Sequence, residues 1–305
     1  MRVGCNFRTN HTMKFAILIN LLDWGHEGKE FILDEGLTFV NLNTHPVGKL
    51  YKKICKSDKV DHGDPSGYDT ALVLYDDTGE DHSFFPTASK YSLSTTFINL
   101  LTIIYKGTLG QCRVIATKDN FKTSHGTYML YENQTEFIDE LVVLHSNFDR
   151  QNIELLESIW VNLKATYSKN IQNSRIDNAL NFFYLSWNTL TLEQTGICLS
   201  IVLETLFAPH SNNELIHQIS YNVAKFTGTT KQQKNDVYKY IKKYYSIRSK
   251  LVHGETINND ELKSIPLFFK FICDLILKII RDQNLIHTFN DNKLRKEFIE
   301  KQMFE

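Results

Sequence analysis

Tyr240-Ile-Lys-Lys-Tyr-Tyr-Ser-Ile-Arg-Ser-Lys-Leu-Val-His-Gly254 reads as the end of a long amphipathic helix. Val237, Ile241, Tyr244 and Leu251 fall on one apolar stripe, while Lys239, Lys242, Lys243 and Lys250 occupy the rest of the surface. Gly254 is the expected stop, because glycine enters the left-handed region at no steric cost just past a helix. Arg248 and His253 stand immediately before that stop.

These two residue types suit phosphodiester chemistry. Arginine is a permanent cation with a forked set of donors that matches phosphate, and histidine can take or give a proton near neutral pH. The spacing constrains them. At roughly 100° per residue, positions 248 and 253 lie about 140° apart around an ideal helix, whereas Ser249 and His253 share a face. Arg248 and His253 can meet one substrate only if the last turn is distorted or the site spans a cleft. A cleft between two copies of this helix would suffice. The plainer alternative is a helix C-terminus whose cations complement the macrodipole. From spacing alone both readings stay open.

Arg248-Ser-Lys-Leu-Val-His-Gly254, the tyrosine-rich turn before it and Ser200-Ile-Val-Leu-Glu-Thr-Leu-Phe207 together resemble the HEPN superfamily. Within it, the likeness is to the HEPN domains of ApeA-type abortive-infection proteins, and it covers residues 175–280. The resemblance implies a helical bundle with an Arg-x4-6-His motif forming a metal-independent endoribonuclease site at a dimer interface. On that reading Arg248 and His253 carry the motif, Ser249 is its polar residue, and Glu204 is the acidic residue of an earlier helix. One subfamily has a tyrosine two residues after the histidine, as a nucleotidylation target. Glu255 stands there in this chain, which argues against that arrangement.

Basic and acidic residues nearly balance, 34 against 35, so the total charge implies no general attraction to nucleic acid. The distribution is uneven. From 231 to 250, Lys231, Lys234, Lys239, Lys242, Lys243, Arg248 and Lys250 face Asp236 alone. That is either a solvated helix face or an RNA-contacting surface, with Lys239, Lys242, Lys243 and Lys250 as candidate RNA-binding residues. The 5 cysteines are scattered, odd in number and without a CxxC pair, which favours a reducing compartment over a disulfide framework or zinc site. Residues 15–22 are too short an apolar run to span a bilayer, and no small-residue cleavage site follows. The expected location is cytoplasmic, with no membrane contact.

The expected fold class is α+β: a mainly β domain over residues 1–148, a connecting helix over 149–174 and a helical HEPN domain over 175–305. The first region reads as a sandwich or curved sheet with little helix. Its strand candidates are Phe15–Leu22, Glu30–Leu33, Leu37–Leu42, Thr70–Tyr75, Arg113–Thr117 and Thr127–Tyr131. Ser94–Lys106 reads as a helix on the spacing of Phe97, Leu100, Leu101 and Ile104, and Phe137, Leu141 and Leu144 suggest another. Asp61, His62 and Asp64 have metal-ligand chemistry but sit in a Gly/Pro loop that such residues also serve as turn formers. Phe84, Phe85, Tyr91 and Phe97 are either core or base-stacking aromatics. No GxxxxGK[ST], GxGxxG or GxSxG occurs, so the nucleotide-binding and hydrolase templates fail and no cofactor is expected. The resemblance implies a sensing or regulatory role for this region.

From Gln151 the apolar period becomes helical. Ile153, Leu156, Trp160, Leu163 and Tyr167 give the connecting helix, and Ile176, Leu180, Phe183, Trp187 and Leu190 the next. Thr191 with Gln194, and Ser211 with Glu214, read as capping boxes, and Thr230 caps the motif helix. Leu267–Ile280 reads as a buried helix with Pro266 in its first turn, and Asn290–Glu305 as one further surface helix. Glu204, alone on an apolar helix, needs a partner if buried, and Arg248 is the natural one.

The expected activity is an antiviral, toxin-like RNA hydrolase that acts in abortive infection. His253 would move a proton as base or acid, Arg248 hold the phosphate and Ser249 orient it. Products would carry 2′,3′-cyclic phosphate and 5′-hydroxyl ends, and no metal is required. Expected partners are RNA (tRNA or mRNA), a second copy in a homodimer, and a phage-derived trigger or an antitoxin. The alternatives are a non-catalytic dimerisation or RNA-binding bundle, or the toxin of a toxin–antitoxin pair.

Overall fold

The computed structural model describes residues 13–19, 31–34, 37–57, 70–76, 88–107, 113–117, 121–122, 126–129, 150–167, 174–189, 191–208 and 214–303. They belong to two compact units.

The first unit contains one antiparallel sheet and a helix. Strands β1 (Met13–Ile19), β2 (Phe31–Asp34), β3 (Leu37–Asn41), β4 (Thr70–Asp76), β5 (Arg113–Thr117) and β6 (Gly126–Met129) pair in the order β2-β3-β4-β1-β5-β6. Side chains alternate across the sheet. Ala16 is paired with Ile115, and Leu18 shares their face with Val40 and Leu42. This face packs on Val47, Leu50, Tyr51 and Ile54 of helix α1 (Pro46–Ser57). Pro46 opens α1 where its missing N–H costs nothing. Gly48 meets the turn after β3 so closely that a Cβ there would lie 1.7 Å from the Leu42 carbonyl oxygen.

A mainly β region with little helix is therefore not what the chain forms. Across the described residues before Arg150, strand and helix occur in nearly equal measure, and the helices are α1 and α2 (Ala88–Tyr105). Val47, Leu50, Tyr51 and Ile54 stand at i, i+3, i+4 and i+7, the helical period, which a reading of short β-branched runs passes over. The helix expected over Ser94–Lys106 is the later part of α2. The Asp61–Asp64 loop, Phe84, Phe85 and the segment with Phe137, Leu141 and Leu144 lie outside the described residues.

The second unit takes Thr96 onward of α2 together with a run of helices and no described strand: α3 (Arg150–Tyr167), α4 (Arg175–Trp187), α5 (Leu192–Phe207), α6 (Leu215–Thr227), α7 (Lys231–Val252), α8 (Asn259–Ile280), α9 (Gln283–Asn290) and α10 (Asn292–Met303). It is a helical bundle. Leu156, Phe183, Leu203, Ile241, Phe268 and Phe269 are fully covered in its core, where each such side chain contributes about 1.5–3 kcal/mol by leaving water. Phe97, weighed above as a stacking residue, is also core and meets Trp160 edge-on. Asn99, 2% exposed, accepts from Trp187 Nε1 at 3.0 Å and donates to the Leu180 carbonyl at 3.1 Å.

Several helix ends follow their sequence signals. The Thr191 hydroxyl accepts from the Gln194 amide, the N-cap half of the expected capping box, and Thr230 with Gln233 forms a full capping box. α5 stops at Phe207 because Ala208, held extended before Pro209, cannot continue a helix. Two ends depart from expectation. Glu214 is itself the cap residue of α6, in the left-handed conformation with no side-chain cap bond, and Ser211, its expected partner in a capping box, lies outside the described residues. α8 begins at Asn259 behind an Asn258–Glu261 capping box, which leaves Pro266 well inside the helix. The box and the buried apolar face together outweigh the one backbone bond that Pro266 cannot donate. The helix expected over Asn290–Glu305 is α10, which Asp291 caps with 2.8 and 2.9 Å bonds from the Lys293 and Leu294 amides, and α9 precedes it.

The end of α5 is tied down by two guanidiniums. Arg175 Nη1 donates to the Thr205 carbonyl at 2.7 Å, and Arg295 Nη1 to the Leu206 and Ala208 carbonyls at 3.2 and 2.8 Å. These cations satisfy carbonyls that no further turn can reach, at the negative end of the helix dipole. Arg295 is 2% exposed, and burial, with the nearby Arg175 charge, pushes its guanidinium down to about 10.

Candidate functional site

The rotation of α7 follows from its core contacts. Ile241, Tyr244 and Ile247 are buried, and Tyr244 Oη donates 2.7 Å to the Gly196 carbonyl of α5 while its ring stacks on Phe268 of α8. With that stripe fixed inward, Lys242, Tyr245, Arg248 and Ser249 fall on an adjacent stripe at 3-3/4 spacing. They form one wall of a cavity of about 800 Å³. Glu204 of α5 and the start of α6, with Glu214, Leu215, Ile216 and His217, complete the lining. The volume lies within the range of small-ligand sites, roughly 300–1,000 Å³.

Glu204 stands in the last turn of α5, where carbonyl ends make a carboxylate unfavourable and a neighbouring cation welcome. Arg248 supplies that cation: its Nη2 lies 3.5 Å from Glu204 Oε1, with the two side chains 32% and 25% exposed. Pairs this exposed contribute roughly 0.2–1 kcal/mol, so the contact orients the guanidinium more than it stabilises the fold. Arg248 Nε is covered and has no hydrogen-bond acceptor among the described residues. Beneath the pair, Tyr245 is buried and reaches the Ser200 carbonyl at 3.5 Å. Burial pushes its phenol well up; the Glu204 carboxylate adds to the shift and Arg248 opposes it. The phenol stays a donor at neutral pH.

His253 does not line this cavity. It is the C-cap of α7, and its amide still bonds the Ser249 carbonyl at 3.1 Å, a regular helical bond. Beyond it the Gly254 amide bonds Leu251 at 3.3 Å and the Glu255 amide bonds Lys250 at 2.8 Å, with Gly254 at φ 73°. This is the Schellman arrangement. The last turn is therefore undistorted, and of the two ways for Arg248 and His253 to meet one substrate, only a cleft formed with another surface remains. His253 is exposed one turn beyond Ser249 on the same face.

The candidate RNA-binding lysines divide. Lys239, Lys242 and Lys243 are exposed, and Lys242 reaches the cavity. Lys250 is instead held by Glu261 of α8 at 2.7 Å. Sequence reasoning missed His217 and Tyr245. Tyr245 was visible only as part of a tyrosine cluster, and His217 carries no motif signal, since only the fold brings the start of α6 to α7.

Cys198 and Cys273 carry free thiols whose titration burial raises, which makes them poor nucleophiles. Phe183 and Trp187 are core. Among the described residues no three His, Cys, Asp or Glu side chains gather to hold a metal ion, and no helix is long and apolar enough to cross a membrane. Comparison with known proteins finds no family model, no curated protein and no solved structure that matches this chain.

Proposed function

We propose that the chain is an endoribonuclease of the HEPN kind, active as a homodimer and serving anti-phage defence as the resemblance implies. The observation that carries the reading is Arg248 on the cavity wall, braced through Nη2 by Glu204 and beside Ser249 and Lys242. A guanidinium held this way presents its remaining donors to a phosphate and stabilises the charge that grows on it during transfer. Lys239, Lys242 and Lys243 supply an exposed basic approach to the site. His253, on an exposed helix end one turn from Ser249, is free to enter the cavity of a second copy and move a proton there. The metal-free mechanism comes with the resemblance. In it the 2′-oxygen displaces the 5′-oxygen at phosphorus and leaves a 2′,3′-cyclic phosphate.

The test is incubation of the purified chain with total RNA in EDTA, beside His253→Ala. Cleavage to 2′,3′-cyclic phosphate and 5′-hydroxyl ends, lost in the variant, is the expected result. A 3′-hydroxyl product or loss of activity in EDTA contradicts it. One observation favours a second reading, a non-catalytic RNA-binding bundle: His253 lies outside the cavity of its own chain. On that reading His253→Ala leaves RNA binding and any cellular phenotype intact.

A further inference from the structure

The lining of the cavity beside Arg248 includes an imidazole other than that of His253. His217 sits in the first turn of α6, on the lining that faces the α7 stripe. Its Nδ1 is 2.8 Å from Tyr238 Oη of α7, and the two rings meet edge-on with centroids 5.6 Å apart. Tyr238 fixes the ring through one nitrogen. The other, Nε2, has no hydrogen-bond partner among the described residues. In the tautomer whose Nδ1–H donates to the Tyr238 oxygen, Nε2 is an acceptor, the form a general base requires. Lys242 Nζ lies 6.0 Å from the Tyr238 ring centroid, so the same corner also holds a cation for phosphate.

We propose that His217 is the general base of the cavity, which divides the proton transfers between two histidines. This inference rests on the endoribonuclease reading. His217 Nε2 takes the proton of the ribose 2′-hydroxyl as the 2′-oxygen forms its bond to phosphorus. The P–O5′ bond breaks, its electron pair stays on the 5′-oxygen, and the imidazolium of His253 protonates that oxygen. Arg248 holds the phosphate between them. Leu215 and Ile216, beside His217 on the lining, offer an apolar wall to the adjoining base. Tyr238 is a positioning residue, since it acts through the imidazole.

The experiment uses the full chain with two substrates: an oligoribonucleotide, and uridine 3′-(4-nitrophenyl phosphate), whose leaving group departs without protonation. His217→Ala is expected to lower kcat on both by about 10²–10⁴, with added imidazole restoring part of the rate. His253→Ala is expected to fail on the oligonucleotide and to recover on the aryl ester. His217→Asn keeps a polar atom near the Nδ1 position for Tyr238 but lacks Nε2, and is expected to be as inactive as His217→Ala. If wild type cleaves RNA while His217→Ala stays within about threefold of it, or His217→Asn restores the rate, the base assignment is overturned and the endoribonuclease reading stands. If wild type cleaves neither substrate, both fall.

Discussion

Glu204 Oε1 stands 3.5 Å from Arg248 Nη2, and this contact ties the last turn of α5 to the last two turns of α7 at the cavity wall. Because both side chains are partly solvated, the contact is better suited to aiming the guanidinium than to holding the bundle together. Glu204→Gln should therefore leave stability within about 1 kcal/mol of wild type. It should lower kcat by about tenfold, equivalent to ~1.4 kcal/mol of lost transition-state stabilisation as the guanidinium loses its aim. Urea titration and steady-state cleavage of one oligoribonucleotide read the two effects separately. Unchanged or raised kcat would show that Glu204 does not aim Arg248.

Gly254 closes α7 at φ 73° with open space around its missing Cβ. Gly254→Ala should cost about 1 kcal/mol through backbone strain alone, and Gly254→Asn less, because asparagine tolerates the left-handed region better. Urea unfolding midpoints of the three proteins check this. A loss well beyond 2 kcal/mol would mean the Schellman turn bears contacts that the backbone argument omits.

Lys250 and the Asn258 amide hold the Glu261 carboxyl below its usual range. A carboxyl depressed in the folded state binds fewer protons there than in the unfolded chain. Its contribution is thus fully present above the ordinary glutamate value of about 4.3 and is lost as pH falls through the depressed value. Glu261→Gln should be less stable than wild type at pH 7, and the difference should shrink towards pH 3. Urea midpoints measured across that range provide the check. A difference that grows on acidification would reverse the sign and exclude this linkage.

Much of the helical unit was legible because its signals are local. The Ile241–Tyr244 stripe, Thr230 and Gly254 bound α7 correctly, since a helix declares its period and caps within its own residues. The start of α8 was also written locally, in Asn258 and Glu261, but Pro266 drew the boundary inward. α1 is legible in the spacing of Val47, Leu50, Tyr51 and Ile54, although its segment lies between strand-like runs. The strands were found near their places, yet the order β2-β3-β4-β1-β5-β6 was not readable, because pairing joins residues far apart in the chain. The site divides in the same way. Arg248 and Ser249 line the cavity and lie in one short motif with His253, which stands outside it. The Glu204 contact was anticipated from the resemblance and from the need of a lone carboxylate for a partner. His217 needed the packing of α6 against α7, which no spacing within α6 reveals.

In the proposed mechanism, Arg248 of one copy and His253 of another serve one site. Mixing Arg248→Ala with His253→Ala chains tests it most directly. Neither variant alone should cleave RNA above about a hundredth of the wild-type rate. Random exchange gives about half heterodimers, each with one of two sites intact, so the mixture should regain about a quarter of wild-type activity. A mixture as inactive as its components, or a His253→Ala chain that cleaves as wild type does, would contradict the claim.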